Sequence, residues 1–77
     1  MTGGPATRMW EVVAAPDRLD DLVAWTLAHA PTGAAVYRSA EDRVVVIDRD
    51  GVGPPDPPPE LVARPPHAWD FEPIPRA

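Results

Sequence analysis

The chain has 77 residues, a formal net charge of −5, twelve prolines, and no cysteine, lysine, asparagine or glutamine. A chain of this length supports one domain that buries only about 60% of the surface its unfolded form exposes, and without thiols neither a disulfide nor a thiolate metal site can staple it. The acidic balance and singly scattered arginines argue against nucleic acid as a partner, and no apolar run approaches the roughly 18 residues of a membrane span.

Met1 to Thr7 is rich in Gly, Pro and Thr and reads as a flexible N-terminus. It has no charged-then-apolar signal pattern, so a cytoplasmic location is the default expectation. Residues 8–77 read as a single α+β domain. Arg8 to Ala15 reads as a strand, with Met9, Trp10, Val12 and Val13 apolar and Glu11 the one polar interruption. Pro16 stops it. Asp17 looks like an N-cap, with Asp20 three residues on as a capping-box partner. A helix follows from Arg18 to about Ala30, where Pro31-Thr32-Gly33 ends it. At about 100° per residue, Leu19, Leu22, Val23, Thr26, Leu27 and Ala30 gather on its core face. Asp20, Asp21 and Ala24 point away, and Trp25 flanks the stripe on the same edge as His29.

Ala34 to Ser39 reads as a second strand and Arg43 to Arg49 as a third, joined by a turn at Ala40-Glu41-Asp42. Asp50-Gly51 ends the third strand. Within it, Val44-Val45-Val46-Ile47 is apolar on four consecutive positions. Strand side chains alternate between faces, so this run puts apolar groups on both. One helix covers one face of so small a sheet, and a second copy of the chain is the simplest cover for the other. The sequence leaves open which pair, Val44 and Val46 or Val45 and Ile47, forms that contact, with Trp25 as a further contact residue. Residues 53–59, Gly-Pro-Pro-Asp-Pro-Pro-Pro, are too proline-dense for a helix or a strand interior and read as an extended connection. Glu60 to Arg64 reads as one short helical turn opened by Pro59. His67 to Ile74 alternates as a last strand, with His67, Trp69 and Phe71 on one face and Ala68, Asp70 and Glu72 on the other. Pro73 marks its exit.

Strand, helix, strand, strand, short turn, strand is the split βαβ plan, a ferredoxin-like antiparallel sheet with one main helix and the second helix nearly deleted. Several stretches then carry a family resemblance. They are Trp10-Glu-Val-Val, the Pro-Asp-Arg helix start, Pro31-Thr-Gly-Ala-Ala-Val-Tyr-Arg-Ser, and Glu41-Asp-Arg-Val-Val-Val-Ile-Asp-Arg. Over Arg8 to Arg49 the chain resembles the dimeric α/β-barrel superfamily, in particular small antibiotic-biosynthesis-monooxygenase-like domains. The resemblance implies two subunits facing their sheets together into a barrel, and in some members oxidation of aromatic polyketides or breakdown of haem. Gly33 stands where that family has a glycine before the hairpin strand. The enzymatic members use an asparagine beside tryptophan or histidine. This chain has no Asn, so that chemistry is not carried over.

Aromatic packing accounts for His67, Trp69 and Phe71, yet with Tyr37 they are also the residues that would line a pocket for a flat aromatic ligand. His29 sits one turn after Trp25 and is expected to meet the C-terminal carbonyls of its helix rather than to act as a base. His67-x-x-Asp70 is not ligand spacing on a strand, so no metal site is expected. Ser39 has no nucleophile elbow. Asp48-Arg-Asp50-Gly resembles a fragment of a calcium loop, without its later ligands, and a turn explains it. No cofactor is expected. Two functional readings stay open: a small non-enzymatic dimeric binding or interaction protein, and a cofactor-independent monooxygenase-like enzyme acting on an aromatic or polyketide-like substrate.

Overall fold

Four segments rich in β-branched and aromatic residues pair into one sheet, and a computed structural model describes residues 6–76 of it. The elements are β1 (Thr7–Val13), α1 (Leu19–His29), β2 (Ala35–Arg38), β3 (Arg43–Asp48) and β4 (His67–Phe71), with a single 3₁₀ turn at Pro59–Leu61. The strands lie in the order β2-β3-β1-β4, and every neighbouring pair is antiparallel. This is the ferredoxin-like α+β arrangement expected from the element order. The flexible stretch expected over residues 1–7 falls mostly outside the described residues, and Thr7 already belongs to β1.

The register sorts the side chains onto two faces. Val36, Val46, Trp10 and Ala68 form one row across the sheet, and Arg38, Val44 and Val12 form the next. This is the helix side. Trp10, Val12, Val44 and Val46 are buried there together with Leu22 of α1 and Leu61 of the 3₁₀ turn. Thr26 is also fully buried, and its Oγ1 donates to the Leu22 carbonyl at 2.7 Å, so no hydroxyl is left unpaired. Val44 and Val46 are therefore core residues and take no part in the outer face. Of the four-residue run, only Val45 and Ile47 lie on the side away from the helix.

Two local expectations at the helix are corrected. Asp17 does not cap it. Its φ is 63°, in the left-handed region, whereas a capping side chain needs an extended backbone at the helix entry. Arg18 takes the cap position with no side-chain bond to the backbone, and instead pairs with Asp21 at 2.9 Å. Asp20 faces Arg38 at 3.6 Å rather than closing a capping box. Leu27, placed on the core face by periodicity, is 64% exposed. The helix packs on β2, β3 and the 3₁₀ turn, and the flank that carries Leu27 has nothing above it.

The proline-rich connection does more than span a gap. Gly53 and Pro57 are buried. Asp48, at the end of β3, holds the loop down: its carboxylate accepts from the N–H groups of Asp50, Val52 and Gly53 at 2.9–3.0 Å. Gly51 has φ 74°, and a Cβ there would lie 2.7 Å from the Ala6 carbonyl oxygen, so this turn needs glycine. The connection then returns through Leu61, which enters the core, and through Ala14, which bridges to Val62. No second helix follows, so β4 is exposed along its whole length.

Candidate functional site

The face away from the helix carries the features that remain after the core is accounted for. Tyr37, Val45, Glu11 and His67 form one row across it. Ala35, Ile47, Met9 and Trp69 form the next, and Val13 pairs with Arg43 beyond. Met9, Val13, Val45 and Ile47 are half-buried by their neighbours alone, while Trp69 is 43% and Phe71 51% exposed. The described residues place no helix or loop over the middle of this surface.

One carboxylate interrupts the apolar face. The Glu11 side chain is only 10% exposed, and its Oε2 lies 2.7 Å from Nε of Arg43. The Arg43 Nε–H is not aimed at that oxygen, so the contact is an ion pair and the donor stays without an aligned acceptor. Arg64, from the segment just before β4, approaches Oε1 more loosely at 3.8 Å. Two guanidinium groups thus lean on one buried carboxylate. No local sequence pattern marks this cluster. Glu11 stood out only as the polar interruption of the first strand, and nothing local shows that residues 43 and 64 converge on it.

The aromatic residues behave as strand alternation requires. The His67 and Trp69 rings meet edge to face, with centroids 5.8 Å apart. His67 lies directly across from Glu11 in register. Tyr37 shares their face but sits on β2 at the opposite edge of the sheet, three strand spacings of about 4.8 Å away. The four candidate pocket residues therefore fall into a β4 group and a distant Tyr37. Trp25 lies on the helix side, packs partly on the core and stacks on His29 at 4.5 Å. The His29 Nδ1 lies 2.8 Å from the Trp25 carbonyl, the C-terminal contact expected of it. On the helix side of β4, Asp70 pairs with Arg8 at 2.9 Å, well separated from the His67 face.

Besides the sheet face there is an open groove of about 470 Å³, lined by Asp56, Pro57, Pro59, Val62, Arg64 and Pro66. Arg64 belongs to this groove and to the Glu11 cluster alike. Among the described residues no group of His, Asp or Glu is arranged to hold a metal ion, and no helix is long and apolar enough to cross a membrane. Comparisons with protein-family models, with curated proteins and with solved structures find no match to this chain.

Proposed function

We propose that the chain is a small, non-enzymatic binding or interaction module that works as a homodimer, with the open sheet faces of two copies packed together. The observation that carries this reading is the uncovered apolar face: Met9, Val13, Val45 and Ile47 in its centre, with Trp69 and Phe71 along one edge. An interface of ordinary size takes about 800 Å² from each partner, about a seventh of this chain's 5404 Å². One sheet face of a domain 45 Å long and 20 Å across has room for that. A domain this small also gains stability from the added burial. The assembly is the one implied by the resemblance to the dimeric α/β-barrel superfamily. The polar groups of the face support binding rather than proton transfer, since Glu11 is held by two arginines instead of standing free.

Two adjacent substitutions test the reading. Val46→Glu buries a charge beneath the helix and is expected to unfold the chain. Val45→Glu charges the outer face and is expected to leave a folded monomer. Circular dichroism reads the fold, and sedimentation equilibrium reads the mass. A wild-type chain that sediments as a monomer at high concentration would overturn the proposal.

A further inference from the structure

β4 is an edge strand, exposed at all five residues, and among the described residues no strand lies beyond it. The hydrogen-bond pattern shows which backbone groups its rim offers. On the β4 side of β1, the Val13 carbonyl accepts from the Ala63 N–H and the Ala15 N–H donates to the Leu61 carbonyl, both at 2.9 Å. On the opposite side, the Ala14 N–H donates to the Asp42 carbonyl at 2.7 Å. Odd-numbered residues of β1 therefore turn their N–H and C=O groups toward β4. In register, Thr7, Met9 and Glu11 face Phe71, Trp69 and His67, so those three residues of β4 direct their backbone groups at β1. Ala68 and Asp70 direct theirs outward. Edges of this kind are ordinarily blunted by lysine, proline, a bulge or a covering loop. The sequence His-Ala-Trp-Asp-Phe contains neither lysine nor proline.

We propose that this rim takes up, as a fifth strand, an extended segment of a partner protein in which basic and apolar residues alternate. A strand laid antiparallel to β4 sets each of its residues opposite one of β4 on the same face. On the face away from the helix it meets His67, Trp69 and Phe71, whose exposed rings favour apolar side chains. On the helix side it meets Ala68 and Asp70, with Glu72 next in the chain. Asp70 already pairs with Arg8, but Glu72 makes no ion pair among the described residues, nor does Asp56 on the wall of the proline-lined groove. That groove adjoins β4, since Pro66 on its wall directly precedes His67. The acids at both ends of the strand and the net charge of −5 favour a basic partner. A second β4 is a poorer occupant: it brings the same acids, and Pro66 has no N–H to lengthen the ladder. The proposal goes beyond the dimer reading and does not depend on it, because the rim lies in the plane of the sheet while the dimer buries its face.

The experiment titrates the full chain with the acetylated, amidated peptide Lys-Val-Lys-Val-Lys-Val-Lys by calorimetry, follows amide hydrogen exchange by NMR, and reads the mass of the same samples by sedimentation equilibrium. Saturable binding is expected, about tenfold or more tighter than that of the peptide with Glu in place of Lys. The Ala68 and Asp70 amides should exchange about tenfold or more slowly with peptide than without, since only a new strand covers them. Ala68→Pro removes an outward N–H and leaves the bonds to β1 intact, so it should weaken binding about tenfold with an unchanged circular dichroism spectrum. Antiparallel pairing aims the peptide's Lys amides at the rim and its Val amides at solvent. N-methylation at Lys should therefore abolish binding and N-methylation at Val should not, a test that needs no variant of the chain. Equal binding of the basic and acidic peptides, or of the two methylated ones, overturns the proposal. So does slow exchange of Ala68 and Asp70 in the free chain that quickens on dilution, which would give the rim to a second copy. A dimer that ignores the peptide overturns the rim site and leaves the dimer standing. A monomer that binds it through Ala68 and Asp70 supports the rim site and overturns the dimer.

Discussion

Asp48 shows how one side chain organises a loop that sequence motifs describe only as a turn. It is 2% exposed, and hydrogen bonds from the Gly53 and Asp50 N–H groups hold its carboxyl below the usual carboxylate range. The sign follows from linkage. The folded-state pKa lies below the unfolded value, so the stabilisation is present above the unfolded value and is lost as pH falls through the folded one. Acidification below about pH 4 is therefore expected to destabilise the wild-type chain progressively, and the stability of Asp48→Ala should depend less on pH in that window. At neutral pH that variant should lose about 2–3 kcal/mol, read by urea melts, because three backbone donors lose an ionised acceptor. The Arg8–Asp70 pair is a contrast. It is well formed at 2.9 Å, but its side chains are 36% and 50% exposed, so Asp70→Ala should barely move the melt. The turn at residues 48–51 is legible in its own residues. The depth at which Asp48 is buried is not, since it depends on a loop that returns through Gly53 and Pro57.

At the scale of the elements, α1 separates what periodicity determines from what packing determines. Leu22 is fully buried and Leu27 is 64% exposed, although both lie on the apolar stripe. Leu22→Ala should cost about 2–5 kcal/mol in denaturant melts, enough to threaten the fold of so small a domain. Leu27→Ala should leave the midpoint almost unchanged. Equal losses for the two would mean that the helix is rotated about its axis. A 3.6-residue period defines a stripe, but its width is set by the neighbours that cover it. Here β2, β3 and the 3₁₀ turn cover one flank only. The proline-rich connection makes the same point. Its composition excludes helix and strand, which was legible, but its contribution of buried Gly53 and Pro57 to the domain was not.

For the whole molecule, the proposed dimer predicts that stability depends on chain concentration. Unfolding of a two-chain assembly releases two molecules, so dilution favours the unfolded state. Tm measured by circular dichroism should fall with each tenfold dilution of the wild-type chain. It should be independent of concentration for Val45→Glu. A wild-type Tm that stays constant over two decades of dilution would contradict the assembly, since a folded monomer carries no such dependence.

The four strands, the single helix and their order are written in local patterns of the chain. These rest on short-range chemistry: period-two and 3.6-residue apolar patterns, prolines without an N–H, and glycines at turns. The run Val44 to Ile47 likewise makes the strand from Arg43 to Asp48 apolar on both faces. Which pair of its residues faces the helix depends on how the strands pair. Val44 and Val46 are fully buried and Val45 and Ile47 look outward, because the cross-strand register with Trp10 and Val12 aligns one set under α1. A shift of one residue would exchange the faces, and no single segment encodes that choice. The Glu11 cluster is of the same kind. Arg43 and Arg64 stand 32 and 53 positions away in the chain, and they converge on Glu11 only after the β1–β3 ladder forms and the proline-rich connection returns to the sheet.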